Sequence, residues 1–531
     1  MREIQLIFKK EDLKPLRKER NLLIELDYDL QSLQEMRDAV KQAKHAQLQY
    51  LSYSQEQVDK IVKSAADAAF AKSAELGLLA VEETGMGIAE HKKMKNEVGS
   101  KAVYESICNE KTVGIINEDK VKKIVEVAYP FGVIAGIIPT TNPTSTAIFK
   151  ALISLKTRNA IVISPHPHAV KCTTEALKIC LDAAVEAGAP EGIIRWISKP
   201  SMSATTELMK HDDIDLILAT GGGGLVLAAY SSGKPAYGVG PGNVPVYIEK
   251  TANVDKAVKM IVDSKTFDNG TICATEQGLI VDRNIQQMVI RQLKNNGAYF
   301  LDDKEKRQME KLISPTVGKL NPKIVGRSAV VIGKMAGITV PENTRLLIAE
   351  ETRVGKNVPF SIEKLSPIFP LYTVTNHTEA KDLCLRLLNI GGRGHSLALH
   401  TSDEQVAKEF ALEMPVSRIL VNTPSSIGAV GATTGLMPSL TLGCGSFGGN
   451  ITSDNVTAKH LINIKRMAYG IKDVAIPKPN PQLVKKEEQK ETENVDQIVE
   501  EVLKQIKPQG ELDPQLISEM VNQVLKKYQT N

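Results

Sequence analysis

The stretch FDNGTICATEQG, residues 267–278, sets one cysteine, Cys273, between an Asp-Asn-Gly turn and the apolar run Leu279–Val281. A thiolate captures carbonyl carbons, so the chemistry on offer is covalent catalysis. The turn residues Asp268, Asn269 and Gly270 argue against a cysteine in mid-core. At the start of a helix, its thiol would meet a positive dipole end that lowers its pKa. A second stretch, TTNPTST (residues 140–146), follows the apolar run GVIAGIIP. A strand ending at Pro139 delivers this polar loop to the carboxyl edge of a parallel sheet, where such folds place ligands. There the Asn142 amide and the Cys273 backbone N–H can together hold an oxyanion. Each has a plainer local reading: Cys273 as a small buried hydrophobe, Asn142 as a turn residue before proline.

Two glycine-rich stretches come next. Gly221, Gly222, Gly223 and Gly224 follow a strand and open a helix, where bare amides and a helix N-terminus suit a phosphate. The run is not G-x-G-x-x-G, and a flexible turn is the competing reading. GVGPGNVPVYIE, Gly238–Glu249, is a turn ahead of the strand VPVYI, equally readable as a domain-crossing loop. His166 and His168 in SPHPH can touch a ribose or phosphate, or stand in an exposed loop. Glu276, three residues after Cys273, is a tempting base, but helical spacing turns it toward backbone amides. Cys108, Cys172, Cys180, Cys384 and Cys444 lack such company and read as structural. With no C-x-x-C spacing, neither a metal site nor a disulfide framework is expected, and a reducing cytoplasm is the natural compartment.

The elements that must position these residues follow from periodicity. The 531 residues exceed one simple core. Residues 1–30 read as an arm and 30–102 as mostly helical, with apolar residues at three- and four-residue spacing. Residues 112–129 read as two strands around a turn at Asn117-Glu118-Asp119. Strands and helices then alternate (GVIAGIIP, TSTAIFKALISLKTR, NAIVISP, IIRWIS, IDLILAT), which predicts an α/β fold with a parallel sheet covered on both faces. A second α/β pass runs from about Val246 to Leu440. The domain reading is therefore 31–245, 246–440, a return over 441–475, a Pro- and charge-rich linker over 476–493 and an amphipathic helical tail over 494–531. A net charge of +4, from 66 basic and 62 acidic residues, gives no argument for nucleic acid or membrane binding. No apolar run approaches the roughly 20 residues that span a bilayer.

In order, TTNP, GGGG, GPGN, FDNGTICATEQ, EKLSP (Glu363–Pro367) and LTLGCGSFGGN (Leu440–Asn450) resemble the aldehyde dehydrogenase superfamily over roughly residues 30–470. The branch most resembled is the coenzyme A-acylating one, including the aldehyde dehydrogenase half of bifunctional aldehyde–alcohol dehydrogenases. The resemblance implies a Rossmann-type NAD-binding domain, an α/β catalytic domain and an oligomerisation hairpin at about 112–129, hence a dimer or tetramer. It implies Cys273 as nucleophile and Asn142 as oxyanion donor. It puts Thr141, His166, the four glycines and Glu363 on the cofactor, with NAD favoured over NADP, and His395, Pro241 and Gly242 on substrate or coenzyme A. His395, in GGRGHSLALH, has a structural alternative. Hydrolytic relatives carry a glutamate in E-L-G-G-K; here GPGNVP, Gly240–Pro245, has no acid, and Glu249 lies beyond the turn. The expected reaction is therefore oxidation of acetaldehyde or propionaldehyde to acyl-CoA; the alternatives are a hydrolytic enzyme and a catalytically silent scaffold. The tail resembles encapsulation peptides of bacterial microcompartment cargo, which implies docking on shell or cargo proteins; packing within a homo-oligomer is the alternative.

Overall fold

The computed structural model describes residues 27–478, 480, 496–504 and 513–528. Three sheets organise it. A five-stranded parallel sheet runs Ile194–Trp196, Ala160–Ser164, Val133–Ile137, Leu216–Thr220, Ala236–Val239. A seven-stranded parallel sheet runs Ala298–Phe300, Leu346–Glu350, Ile368–Val374, Glu276–Asp282, Val244–Ile248, Gly394–His400, Val416–Val421. A three-stranded sheet joins the antiparallel pair Gly114–Asp119 and Ile124–Pro130 to Ile462–Ala468. The central strands Val133–Ile137, Ala160–Ser164 and Val244–Ile248 are buried at every position. A strand covered on both faces needs unbroken apolar sequence, which is why these runs were readable as strands.

The helix Pro143–Lys156 packs in the middle of the larger core, every residue buried, with proline at its first turn. Its Lys150 donates to Ile137 O and Leu218 O, each at 2.8 Å. Burial pulls that ammonium down to about 7. Past the helix, buried Asn159 accepts from Gly132 N at 2.8 Å and donates to Leu461 O at 2.8 Å and Thr157 Oγ1 at 2.7 Å. Asn159→Ala strips two backbone groups of partners, so it is expected to cost about 2–4 kcal/mol. A fall in the urea midpoint checks this, with turnover per folded molecule unchanged.

Three expectations shift. The hairpin turns at 120–123, not at Asn117-Glu118-Asp119: Asn117, Glu118 and Asp119 pair with Glu126, Val125 and Ile124. The first helix, Tyr28–Tyr50, starts inside the segment read as an arm, capped by the Asp27 side chain at Leu30 N; residues 1–26 lie outside the described residues. No helix follows Cys273. Residues 276–282 form a central strand, all seven positions buried, between Val244–Ile248 and Ile368–Val374. Pairing on both sides overrides the helical reading of this stretch.

The larger compact unit holds the two parallel sheets; a smaller unit takes Lys120–Lys123 and Ala468 onward. In the smaller unit residues 496–504 and Pro514–Tyr528 are helical. The linker expected at 476–493 is described only at 476–478 and 480. Among the described residues no helix is long and apolar enough to cross a membrane.

Candidate active site

In the five-stranded sheet the chain order reverses between Val133–Ile137 and Leu216–Thr220. Loops leaving the carboxyl ends of two such strands diverge and open a crevice. A cleft of about 500 Å³ lies there, and Thr141, Asn142, His166, Gly221, Gly222, Pro241, Cys273 and Glu363 all line it. Gly223 and Gly224 do not: they are the first residues of the helix Gly223–Tyr230. His168 is exposed and outside the cleft, its N–H donating to His166 Nδ1 at 3.1 Å. Burial, then the neighbouring His168, pushes the His166 pKa down.

Cys273 sits in the loop between the turn Phe267–Gly270 and the strand Glu276–Asp282. With no helix there is no dipole to acidify it. Burial pushes its thiol up to about 12, Glu363 and Cys444 add to the rise, and Arg418 opposes it. Cys444, read as structural, is buried. His395 Nε2 lies 3.2 Å from Cys273 Sγ. Burial, then Arg418, pushes His395 down to about 3, which keeps its ring neutral at pH 7. The ring meets Ser396 Oγ at 3.0 Å through Nδ1, and Arg418 donates to His395 O at 3.0 Å and Gly443 O at 2.7 Å. The resting pair is thus thiol and imidazole, not thiolate and imidazolium. Below its pKa a thiol gains thiolate tenfold per pH unit. Alkylation of Cys273 by iodoacetamide in the cofactor-free protein is therefore expected to climb about tenfold per unit from pH 7 to 10, without a plateau. A plateau near pH 7 would reveal a preformed ion pair.

Asn142 is held from two sides. Its Oδ1 accepts from Lys95 Nζ at 2.6 Å, and its Nδ2 donates to Thr271 O and Thr141 Oγ1, each at 3.2 Å. Lys95 also donates to the Asp268 carboxylate and, at 3.1 Å, to Thr271 Oγ1. Lys92 donates to Asp268 Oδ2 and Thr141 O, each at 2.9 Å. Burial raises the Asp268 carboxyl, but Lys95, Lys92 and Thr271 outweigh it and hold it at about 2. Nothing local in the chain marks this cluster. Lys92 and Lys95 stand in HKKMKNE, whose charge looks like a solvated helix face; both are in fact buried.

Glu363 Oε1 accepts from Gly242 N at 2.8 Å. Among the described residues it is the one carboxylate lining the cleft, and that bond fixes its Oε1 toward the GPGN turn. Glu276 is buried elsewhere, accepting from Ser264 Oγ at 2.6 Å and Ser425 N at 3.0 Å. Glu249 follows the strand Val244–Ile248 and binds Thr251 N and Thr401 Oγ1. A Cβ on Gly242 would lie 1.7 Å from Cys273 O, so the GPGN turn is pressed against the cysteine loop. The residues fit a dinucleotide: the cleft sits at a strand-order reversal, Gly221 and Gly222 leave backbone exposed there, and Thr220 Oγ1 is buried without a protein partner. Among the described residues no group of three His, Cys, Asp or Glu could hold a metal.

The model described as "Aldehyde dehydrogenase family" matches residues 26–315. The "Bifunctional aldehyde-alcohol dehydrogenase AdhE" of Escherichia coli (strain K12) is 49% identical over 439 residues, which are 82% of this chain and 49% of that protein. The chain spans about half the length of the aldehyde-alcohol dehydrogenases it matches. An acetylating aldehyde dehydrogenase from Geobacillus thermoglucosidasius superposes with a TM-score of 0.84 at 55% identity, covering 85% of this chain and 100% of that one. A Rhodopseudomonas palustris propionaldehyde dehydrogenase, solved with bound CoA and an acylated cysteine, superposes with a TM-score of 0.73 at 31% identity, covering 82% and 97%.

Proposed function

The chain belongs to the aldehyde dehydrogenase family, and from that premise we propose that it oxidises a short-chain aldehyde, acetaldehyde or propionaldehyde, to the acyl-CoA. One observation carries the choice of acceptor. A thiol and an amide line the cleft, the His395 imidazole is buried against that thiol, and the one carboxylate among the described lining residues accepts from the Gly242 N–H. That carboxylate is oriented by the turn and belongs to the proposed cofactor site, and among the described residues no second carboxylate lines the cleft to activate water, so a soft thiol nucleophile is the better acyl acceptor.

In this mechanism Cys273 Sγ forms a bond to the aldehyde carbon and its proton moves to His395 Nε2. The carbonyl oxygen becomes an oxyanion held by the Cys273 N–H and by the Asn142 Nδ2–H that leaves Thr141 Oγ1 for it. A nicotinamide dinucleotide, when bound, supplies the hydride acceptor. Thr141, His166, Gly221, Gly222 and Glu363 would hold it, and NAD is the proposed form. Collapse of the oxyanion, with the carbon-bound hydrogen lost as hydride, would leave a thioester on Cys273. The coenzyme A thiol, its proton lost to solvent, attacks that carbonyl, the C–S bond to Cys273 breaks, and His395 returns the proton to the cysteine. Pro241 and Gly242 border the path of the acyl acceptor. All steps run in either direction.

The test is NADH formation from acetaldehyde and propionaldehyde, with NAD or NADP, with and without coenzyme A. The expected result is sustained turnover only with coenzyme A, and a burst of at most one equivalent per site without it. Sustained NADH and free carboxylate in its absence would establish a hydrolytic enzyme instead.

The tail is proposed to dock on a microcompartment shell or cargo protein, and the hairpin sheet to build a homo-oligomer. Leu516 in the last helix and Val499 and Leu503 in residues 496–504 are exposed apolar residues at helical spacing, which supports a docking role. Removing residues 478–531 is expected to leave soluble activity intact and abolish co-purification with shells. Unchanged retention would reject the docking role.

A further inference from the structure

Lys95 is a charge that the local ion pairing does not require. The buried Asp268 carboxylate already has Lys92 at 2.9 Å and the Thr271 hydroxyl at 2.6 Å. The Asp268 N–H is taken up by His91 Nδ1 at 2.8 Å, so that nitrogen of His91 carries no proton. At pH 7, below the value of about 8 to which burial lowers its ammonium, Lys95 therefore leaves one positive charge in excess in a pocket where all three charged side chains are at most 4% exposed. Excess buried charge is expensive unless an opposite charge appears nearby. The group through which it reaches the cleft is Asn142.

An ammonium can only donate, so the Asn142 atom facing Lys95 at 2.6 Å must be the carbonyl oxygen. The amide nitrogen is thereby forced to the opposite edge, beside Thr271 O, two residues before Cys273. We infer that Lys95 is a positioning residue for the oxyanion step: it fixes which way the Asn142 amide points, and its charge strengthens that amide as a donor. Without the ammonium, no donor among the described residues holds the Asn142 carbonyl oxygen on that side. The amide is then free to turn over and present its oxygen, rather than its N–H, to the developing negative charge.

This inference rests on the proposed role of Cys273 and Asn142, so its test must separate the two. CoA-dependent aldehyde oxidation is measured for Lys95→Met, Lys95→Arg, Asn142→Ala, the Lys95→Met/Asn142→Ala double variant and Cys273→Ala. Lys95→Met is expected to lower kcat about 100-fold, with the KM for the nicotinamide cofactor within about twofold. Lys95→Arg, which still donates and keeps the charge, should recover most of the loss. In the Asn142→Ala background Lys95→Met should cost less than about threefold, because the group it orients is gone. A purely structural lysine would instead multiply its loss onto that of Asn142→Ala, as would a variant that merely folds poorly. Full multiplicativity, or an unchanged kcat in Lys95→Met, overturns the inference. Retained turnover in Cys273→Ala would overturn the proposed function instead.

Discussion

Cys273→Ala is expected to lower CoA-dependent turnover by at least about 10⁴-fold, the scale set by losing the nucleophile of a covalent mechanism. The fold should not notice. The side chain is only partly buried, at the edge of a small cluster with Phe267, Ile272 and Ala274. Removing one sulfur from such a position costs about 1 kcal/mol or less. Binding of the nicotinamide cofactor, followed by fluorescence quenching, should survive the change. The loss would then lie in chemistry, with the cleft intact. Mass spectrometry gives a second reading: the parent protein treated with aldehyde and NAD, without coenzyme A, should carry an acyl adduct on Cys273, and the variant none. Turnover persisting within tenfold of the parent would remove the thiol from the mechanism.

What the sequence discloses about this cleft follows how far apart in the chain the cause and its effect lie. The central strands were legible because burial on both faces demands continuous apolar runs, and GVIAGIIP, NAIVISP and VPVYI have them. Cys273 and Asn142 were legible because each stands in a short turn with an unusual composition. The stretch after Cys273 was misread as a helix because a strand inserted between two parallel neighbours carries no alternation to mark it. Lys95 was not legible at all. Its role depends on Asp268, 173 residues away, folding back against the helix Ala89–Glu97. A lysine is usually solvated, and nothing local distinguishes one that is not. The thiol's pKa was misjudged for a related reason: the expected helix dipole was absent, and enclosure decided the outcome.

Gly242→Ala is expected to lower kcat about 100-fold or more, the scale associated with moving a reacting group by about 1 Å. The position is not one where glycine is needed for a left-handed backbone, so the argument is steric alone. The added methyl carbon would sit 1.7 Å from Cys273 O and 2.8 Å from Cys273 C. Both are backbone atoms, and no rotamer change can relieve the overlap. On the other side a Cβ at Gly392 would lie 1.6 Å from Gly242 O, so the turn cannot back away without meeting that chain. Either the cysteine loop shifts, or the GPGN turn shifts and pulls Gly242 N from Glu363. The first displaces the nucleophile from Asn142, and the second releases Glu363 from the bond that orients it. These outcomes separate by product: a displaced thiol still reacts with iodoacetamide but turns over slowly, whereas a freed Glu363 should raise the share of free carboxylate relative to acyl-CoA. If Gly242→Ala keeps its kcat within about tenfold and its product unchanged, the turn is not what holds the cysteine loop.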